Sequence, residues 1–227
     1  MNEALKTMEL RHSVRKFADE PLTADEIRAI ETMIADINRE SGLHFQLMVN
    51  SRVSFLSVIG AATYGAFRNV RNYIALVARP VGDQLERLGY YGERLVLKMT
   101  EMGLGTCWVG GSLSKRFTPA DVRPGERLNC IVMVGHIGVP GRPHRSKTIG
   151  EMCELNGRQM PDWFHRGMIG VQLAPSAMNQ QRTVFELLDL NQVLVHKTTR
   201  PFGAVDAGIA KCHFEQLAGK ENFVFVG

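Results

Sequence analysis

Residues 89–111, GYYGERLVLKMTEMGLGTCWVGG, constrain the fold of this chain more than any other stretch. Leu95, Met99 and Met102 recur at helical spacing and continue the series Leu85, Leu88 and Tyr91, so the pattern predicts a helix with one buried face. Gly103 and Gly105 are expected to stop it. Glycines at 103, 105, 110 and 111 let backbone approach a flat ligand closely, because no Cβ stands in the way. A glycine turn after a helix is more commonly only a cap, so the rest of the chain has to decide.

At 227 residues the chain is long enough for one large or two small domains with a real core. Its 44% hydrophobic and 22% charged content is ordinary for a soluble enzyme. A net charge of +4, without any block of like charges, argues against a nucleic-acid tail and suits a small phosphate-bearing ligand. Cys107, Cys130, Cys153 and Cys212 make no CxxC pair and no zinc spacing, and are expected as thiols in a reducing compartment. His136, His144, His165, His196 and His213 are scattered without ligand spacing, so no metal site is expected. With no charged-then-apolar leader and no apolar run of about 18 residues, the expected location is the cytoplasm, away from membranes.

Thr23 with Glu26 three positions later is a capping-box signature, and Ile27, Ile30, Ile34 and Ile37 follow on one face of a helix closed at Gly42. LHFQLMV (43–49) and NYIALVA (72–78) are expected strands, the second too apolar for a sheet edge. Another apolar run covers 129–138, and VPGRPHRSK (139–147) is the best linker candidate, dividing an N-terminal half, 1–147, from a C-terminal half, 148–227. Beyond it the expected elements are a helix over 163–173, a loop APSAMNQQ, a strand pair turning near Asn191, and a helix over 206–217 capped by Asp206. The element order of the two halves is similar enough to suggest a diverged duplication.

Arg11-His12-Ser13-Val14-Arg15 places two guanidiniums and a hydroxyl at alternate positions, which in an extended segment point one way. Such a set can clamp an anion through planar, charge-assisted donors, or can equally be a solvated basic face. Taken together, RHSVRKFADEPL (11–22), GYYGERLVLKMTEMGLGTCWVGG and APSAMNQQ resemble three segments of the FMN-dependent nitroreductase family. The order differs from the family's usual one: here the Pro-Ser-x-x-Asn loop, 175–179, follows the glycine-rich helix, and the Pro-Trp that often ends it is replaced by Arg182-Thr183.

The resemblance implies an α+β, nitroreductase-like fold, an antiparallel-rich sheet flanked by helices. Ordinary members of the family are homodimers with the flavin at the interface. One copy of each segment in this chain therefore implies a monomeric pseudo-dimer of two similar halves with one complete FMN site. It further implies that Arg11, His12, Ser13 and Arg15 hold the FMN phosphate and ribityl or pyrimidine edge, with His12 acting mainly through its backbone. Val109, Gly110 and Gly111 would lie against the isoalloxazine, Pro175, Ser176, Ala177 and Asn179 would approach from the other half, and Arg145 and Lys147 would add late basic contacts. The implied activity is that of an FMN-dependent NAD(P)H oxidoreductase, with NAD(P)H as transient hydride donor and a nitroaromatic, quinone or similar small-molecule acceptor. The alternative is a flavin-binding sensor or storage protein without turnover. Because flavin carries out the redox chemistry itself, no catalytic side chain is required.

Overall fold

The computed structural model describes residues 2–55, 67–189 and 191–227. In chain order these form α1 (Glu3–Leu10), β1 (Lys16–Phe17), α2 (Ala24–Ser41), β2 (His44–Met48), β3 (Asn72–Ala78), α3 (Gln84–Glu101), β4 (Gly105–Val109), β5 (Arg127–Gly135), β6 (Ile137–Val139), β7 (Cys153–Glu154), α4 (Asp162–Leu173), β8 (Val184–Asp189), β9 (Gln192–His196), α5 (Gly203–Ala218) and β10 (Val224–Val226). Helix α1, which no periodicity announced, starts where the Asn2 side chain accepts the Ala4 N–H at 2.9 Å.

Two compact units are present, and both are discontinuous in sequence. One comprises residues 11–84 and 95–143, the other 1–10, 85–94 and 144–227. The expected halves, 1–147 and 148–227, are consecutive. A boundary set by chain order cannot capture α3, whose first turns belong to one unit and whose last turns belong to the other.

The first unit is built on a four-stranded sheet, β2-β3-β5-β4, antiparallel at every pairing. All seven residues of β3 are buried, so both faces of this strand are covered, which accounts for its unbroken apolar run. Val14, Phe17, Tyr73, Val77, Val109, Leu113, Ile131 and Met133 form one core cluster. Helix α2 packs beside β2 with Ile30, Ile34 and Ile37 buried. Its capping box closes as expected: Glu26 N–H donates to Thr23 Oγ1 at 3.2 Å, and Thr23 N–H donates to Glu26 Oε2 at 2.7 Å.

In the second unit the sheet order is β10-β9-β8-β7, with β8 and β9 antiparallel but β10 and β7 joined in parallel. The two sheets thus differ in topology. Helices α1, α4 and α5 pack together here, over an aromatic cluster in which Phe164, Phe185 and Phe214 are fully buried. Phe185 and Phe214 stack at 4.9 Å between centroids, and Trp163 stacks on Phe223 at 5.8 Å.

Three sequence expectations need correction. Helix α3 does not bury a single face: Leu88, Glu93, Leu95, Val96, Leu97 and Met99 are all at most 3% exposed, a pattern of burial that wraps around the helix. Gly103, at φ 78°, ends it, with Leu104 N–H reaching back to Met99 O at 3.0 Å. Gly105 stops nothing and instead opens β4, where a Cβ would lie 2.9 Å from Val14 Cγ2. Similarly, α5 starts at Gly203 after a left-handed Phe202, so Asp206 is not its cap. Asp206 lies in the first turn, with its carboxylate turned to another loop.

Candidate functional site

The basic segment 11–17 is extended because neighbouring backbone ties it down. Val14 N–H donates to Thr106 O at 2.8 Å, Phe17 N–H to Arg68 O at 3.1 Å, and Arg68 N–H to Arg15 O at 3.0 Å. Short bridges pair Ser13 with Thr106 and Lys16 with Arg68, and β1 runs antiparallel to β6. Gly141 presses on this segment from the β6 side, where any Cβ would come within 2.6 Å of His12 Cβ and 2.9 Å of Ser13 O.

Within this clamp Arg11 is buried, only 4% exposed, while His12, Ser13 and Arg15 are half-buried. Arg15 reaches Ser13 O through one terminal nitrogen at 3.4 Å, but its buried Nε has no hydrogen-bond partner among the described residues. Ser112 Oγ, just past Gly110 and Gly111 in the same unit, is also buried and has no partner among the described residues. Isolated polar atoms of this kind are costly to bury and point to a polar ligand. Burial, reinforced by the charge of Arg11, pulls His12 below the ordinary imidazole value. Cys107, on β4, is raised by burial even though Arg15, a hydrogen bond with Ser13 and Arg11 all oppose the rise. Sequence reading overlooked this thiol as a neighbour of the clamp, because the Ser13–Thr106 pairing that brings it there joins segments over 90 positions apart.

Arg68 and Asn69 stand beside the clamp through backbone and side-chain bonds, Asn69 Nδ2 donating to Phe17 O at 3.1 Å. Buried Asn72 accepts the Asn50 N–H at 3.2 Å.

The second predicted group assembles within the other unit. Asn179 Nδ2 donates to Arg145 O at 2.8 Å, Lys147 Nζ to Gln181 O at 2.9 Å, and Lys147 N–H to Gln181 Oε1 at 2.8 Å. Ser176 Oγ accepts the Gln181 N–H at 2.9 Å, and Gln181 Nε2 donates to Gln172 O at 3.1 Å. The Pro-Ser-Ala-Met-Asn loop and the basic pair Arg145 and Lys147, separated by about thirty positions, are therefore one construction, and buried Gln181 is its hub. Met178, Asn179 and Gln181 all take positive φ, from 43° to 54°, a left-handed backbone that is uncommon for non-glycine residues other than Asn. The side chain of Arg145 itself is exposed.

Asp206 is the residue that sequence reading placed wrongly. Both its oxygens accept the Ala177 N–H, at 3.0 and 3.1 Å. Burial raises its carboxyl to about 6, against which the Ala177 hydrogen bond works. A second buried feature, also missed, is the pair Glu93 and His213, neither of them exposed. His213 Nε2 lies 2.9 Å from Glu93 Oε1 and Nδ1 lies 3.1 Å from Gly170 O.

An α+β chain with an antiparallel sheet, an Arg-x-Ser-x-Arg clamp and a separate Pro-Ser-x-x-Asn loop falls in the class of nitroreductase-fold proteins. The chain belongs to the family described as Putative TM nitroreductase, whose profile matches residues 3–218. Solved structures agree on the fold. A putative nitroreductase from Thermotoga maritima is 23% identical, with 97% of this chain and 85% of that one aligned at a TM-score of 0.63. A nitroreductase with bound FMN from Desulfitobacterium hafniense is 20% identical over 65% of this chain and 95% of its own, at 0.50. A putative NADH dehydrogenase/NAD(P)H nitroreductase from Parabacteroides distasonis is 17% identical over 70% and 100%, also at 0.50. No curated protein matches the chain. Among the described residues, no helix is long and apolar enough to cross a membrane.

Proposed function

We propose that this chain is an FMN-dependent NAD(P)H oxidoreductase that reduces nitroaromatic, quinone or similarly electron-poor small molecules. The observation that carries the proposal is that Arg15 Nε, in one segment expected to meet a flavin, and Ser112 Oγ, next to the other, are buried with no hydrogen-bond partner among the described residues. A phosphate and a polar ring edge satisfy such groups, and water-poor surroundings strengthen the contact. The bound FMN of the Desulfitobacterium hafniense nitroreductase, and the NAD(P)H in the name of the Parabacteroides distasonis protein, support the choice of cofactor and donor.

FMN would supply the redox chemistry, hydride and electron transfer between donor and acceptor. Arg11 and Ser13 would hold its phosphate, with the His12 backbone beside them, and Arg15 would supply a cation to stabilise the negative charge of the reduced ring. Val109, Gly110 and Gly111 would present backbone to the ring, and Pro175, Ser176, Ala177 and Asn179 are the further flavin contacts that the family resemblance implies. Lys147 holds that loop in place through Gln181, and Arg145 does so through its carbonyl to Asn179. Both residues thus act as loop supports, with the exposed Arg145 guanidinium left for an anion. The chain provides one of each segment, hence one FMN site. It acts as a single-chain counterpart of a two-subunit enzyme in the cytoplasm.

The visible spectrum of the purified protein, followed by anaerobic addition of NADPH or NADH, tests this. A flavin spectrum that bleaches on addition is expected. A flavin spectrum that does not bleach indicates a binding protein without turnover, and a colourless protein that takes up no added FMN overturns the assignment.

A further inference from the structure

Sheet β10-β9-β8-β7 brings together three side chains that lie far apart in the sequence. Glu154 on β7 is the direct register partner of Glu186 on β8, so the two carboxylates stand side by side on one face. His196 on β9 opposes Val184, two residues before Glu186, and therefore shares that face. One ligand atom from each of Glu154, Glu186 and His196 falls within 4.8 Å of the other two, and His196 Nε2 is 2.6 Å from Glu186 Oε2.

We propose that Glu154, Glu186 and His196 form a zinc-class divalent metal site on the solvent side of this sheet, separate from the flavin segments. Like charges directly opposite one another in a sheet repel, and a dication between them removes that cost. The donor set of one imidazole nitrogen and two carboxylate oxygens favours zinc or a neighbouring first-row ion over calcium or magnesium, which prefer oxygen alone. Three protein ligands on three adjacent strands leave a fourth position for water, the arrangement of an open tetrahedral site. Asn156 adds an orienting contact, its Nδ2 donating to the second Glu186 oxygen at 2.6 Å. The nearby Arg158 donates to Leu187 O at 3.5 Å, and the His196 and Asn156 hydrogen bonds, helped by the Arg158 charge, hold the Glu186 carboxylate below its ordinary value. Glu154 and His196 are exposed, so an ion has a path in. Sequence spacing hides the set because each ligand comes from a different strand, and only strand pairing makes them neighbours.

Cobalt(II) titration of the full chain, followed by zinc competition against a chromophoric chelator, provides the test. Saturation at one ion per chain is expected, with visible d–d bands and no thiolate charge-transfer band. Glu154→Gln and His196→Ala should each weaken zinc binding about tenfold or more, with circular dichroism like that of the parent. No binding, binding equal in parent and both variants, or a thiolate charge-transfer band, which assigns the metal to a cysteine, overturns the site.

Discussion

Asp206 illustrates how the environment reassigns a residue. As an acid near the start of a helix it reads as a cap, yet its carboxylate holds the Ala177 N–H and is raised by burial to about 6, compared with the reference 3.8. Between those values the folded chain binds more protons than the unfolded one. The contribution of Asp206 to stability is therefore fully present below pH 3.8 and is lost as pH rises through 6. Asp206→Asn keeps an acceptor for Ala177 and removes the titration. We expect the difference in stability between parent and variant to drift by on the order of 1–3 kcal/mol across this window, as measured by thermal melts at a series of pH values. A constant difference would show that Asp206 does not titrate there. The alternation of Arg11, Ser13 and Arg15 was readable in the sequence itself. The thiol of Cys107 beside them was not, since that contact depends on the Ser13–Thr106 pairing.

At the scale of elements, β3, α2 and α4 follow directly from hydrophobic period and caps, which act over a few residues. The start of α5 and the wrapped burial of α3 do not, because both depend on close approach between helices. Gly208 of α5 lies against the Glu86 carbonyl, and a Cβ there would also come within 2.7 Å of Tyr90 N, while Gly89 of α3 lies against the Val205 carbonyl. The obstacles are backbone atoms that cannot step aside. Gly208→Ala should therefore destabilise by about 3 kcal/mol or more, read as a lower urea midpoint at unchanged slope. Gly150→Ala, at a position with nothing within 4 Å, is the control and should fall within about 0.5 kcal/mol of the parent.

For the whole molecule the proposal of one flavin site per chain makes a simple demand. Holoprotein sized by light scattering should release close to one FMN per 25.3 kDa chain on heating, and two per chain would contradict the single-site reading. The amino-acid sequence alone was sufficient for the fold class and the family, because each rests on short-range periodicity, capping or a local motif. The rest required the folded chain. The hub at Gln181, the burial of Glu93 with His213, the latch at Asp206 and the Glu154, Glu186 and His196 cluster each include a contact between residues at least 29 positions apart. Strand register and helix packing decide those neighbours, and neither is encoded in local spacing.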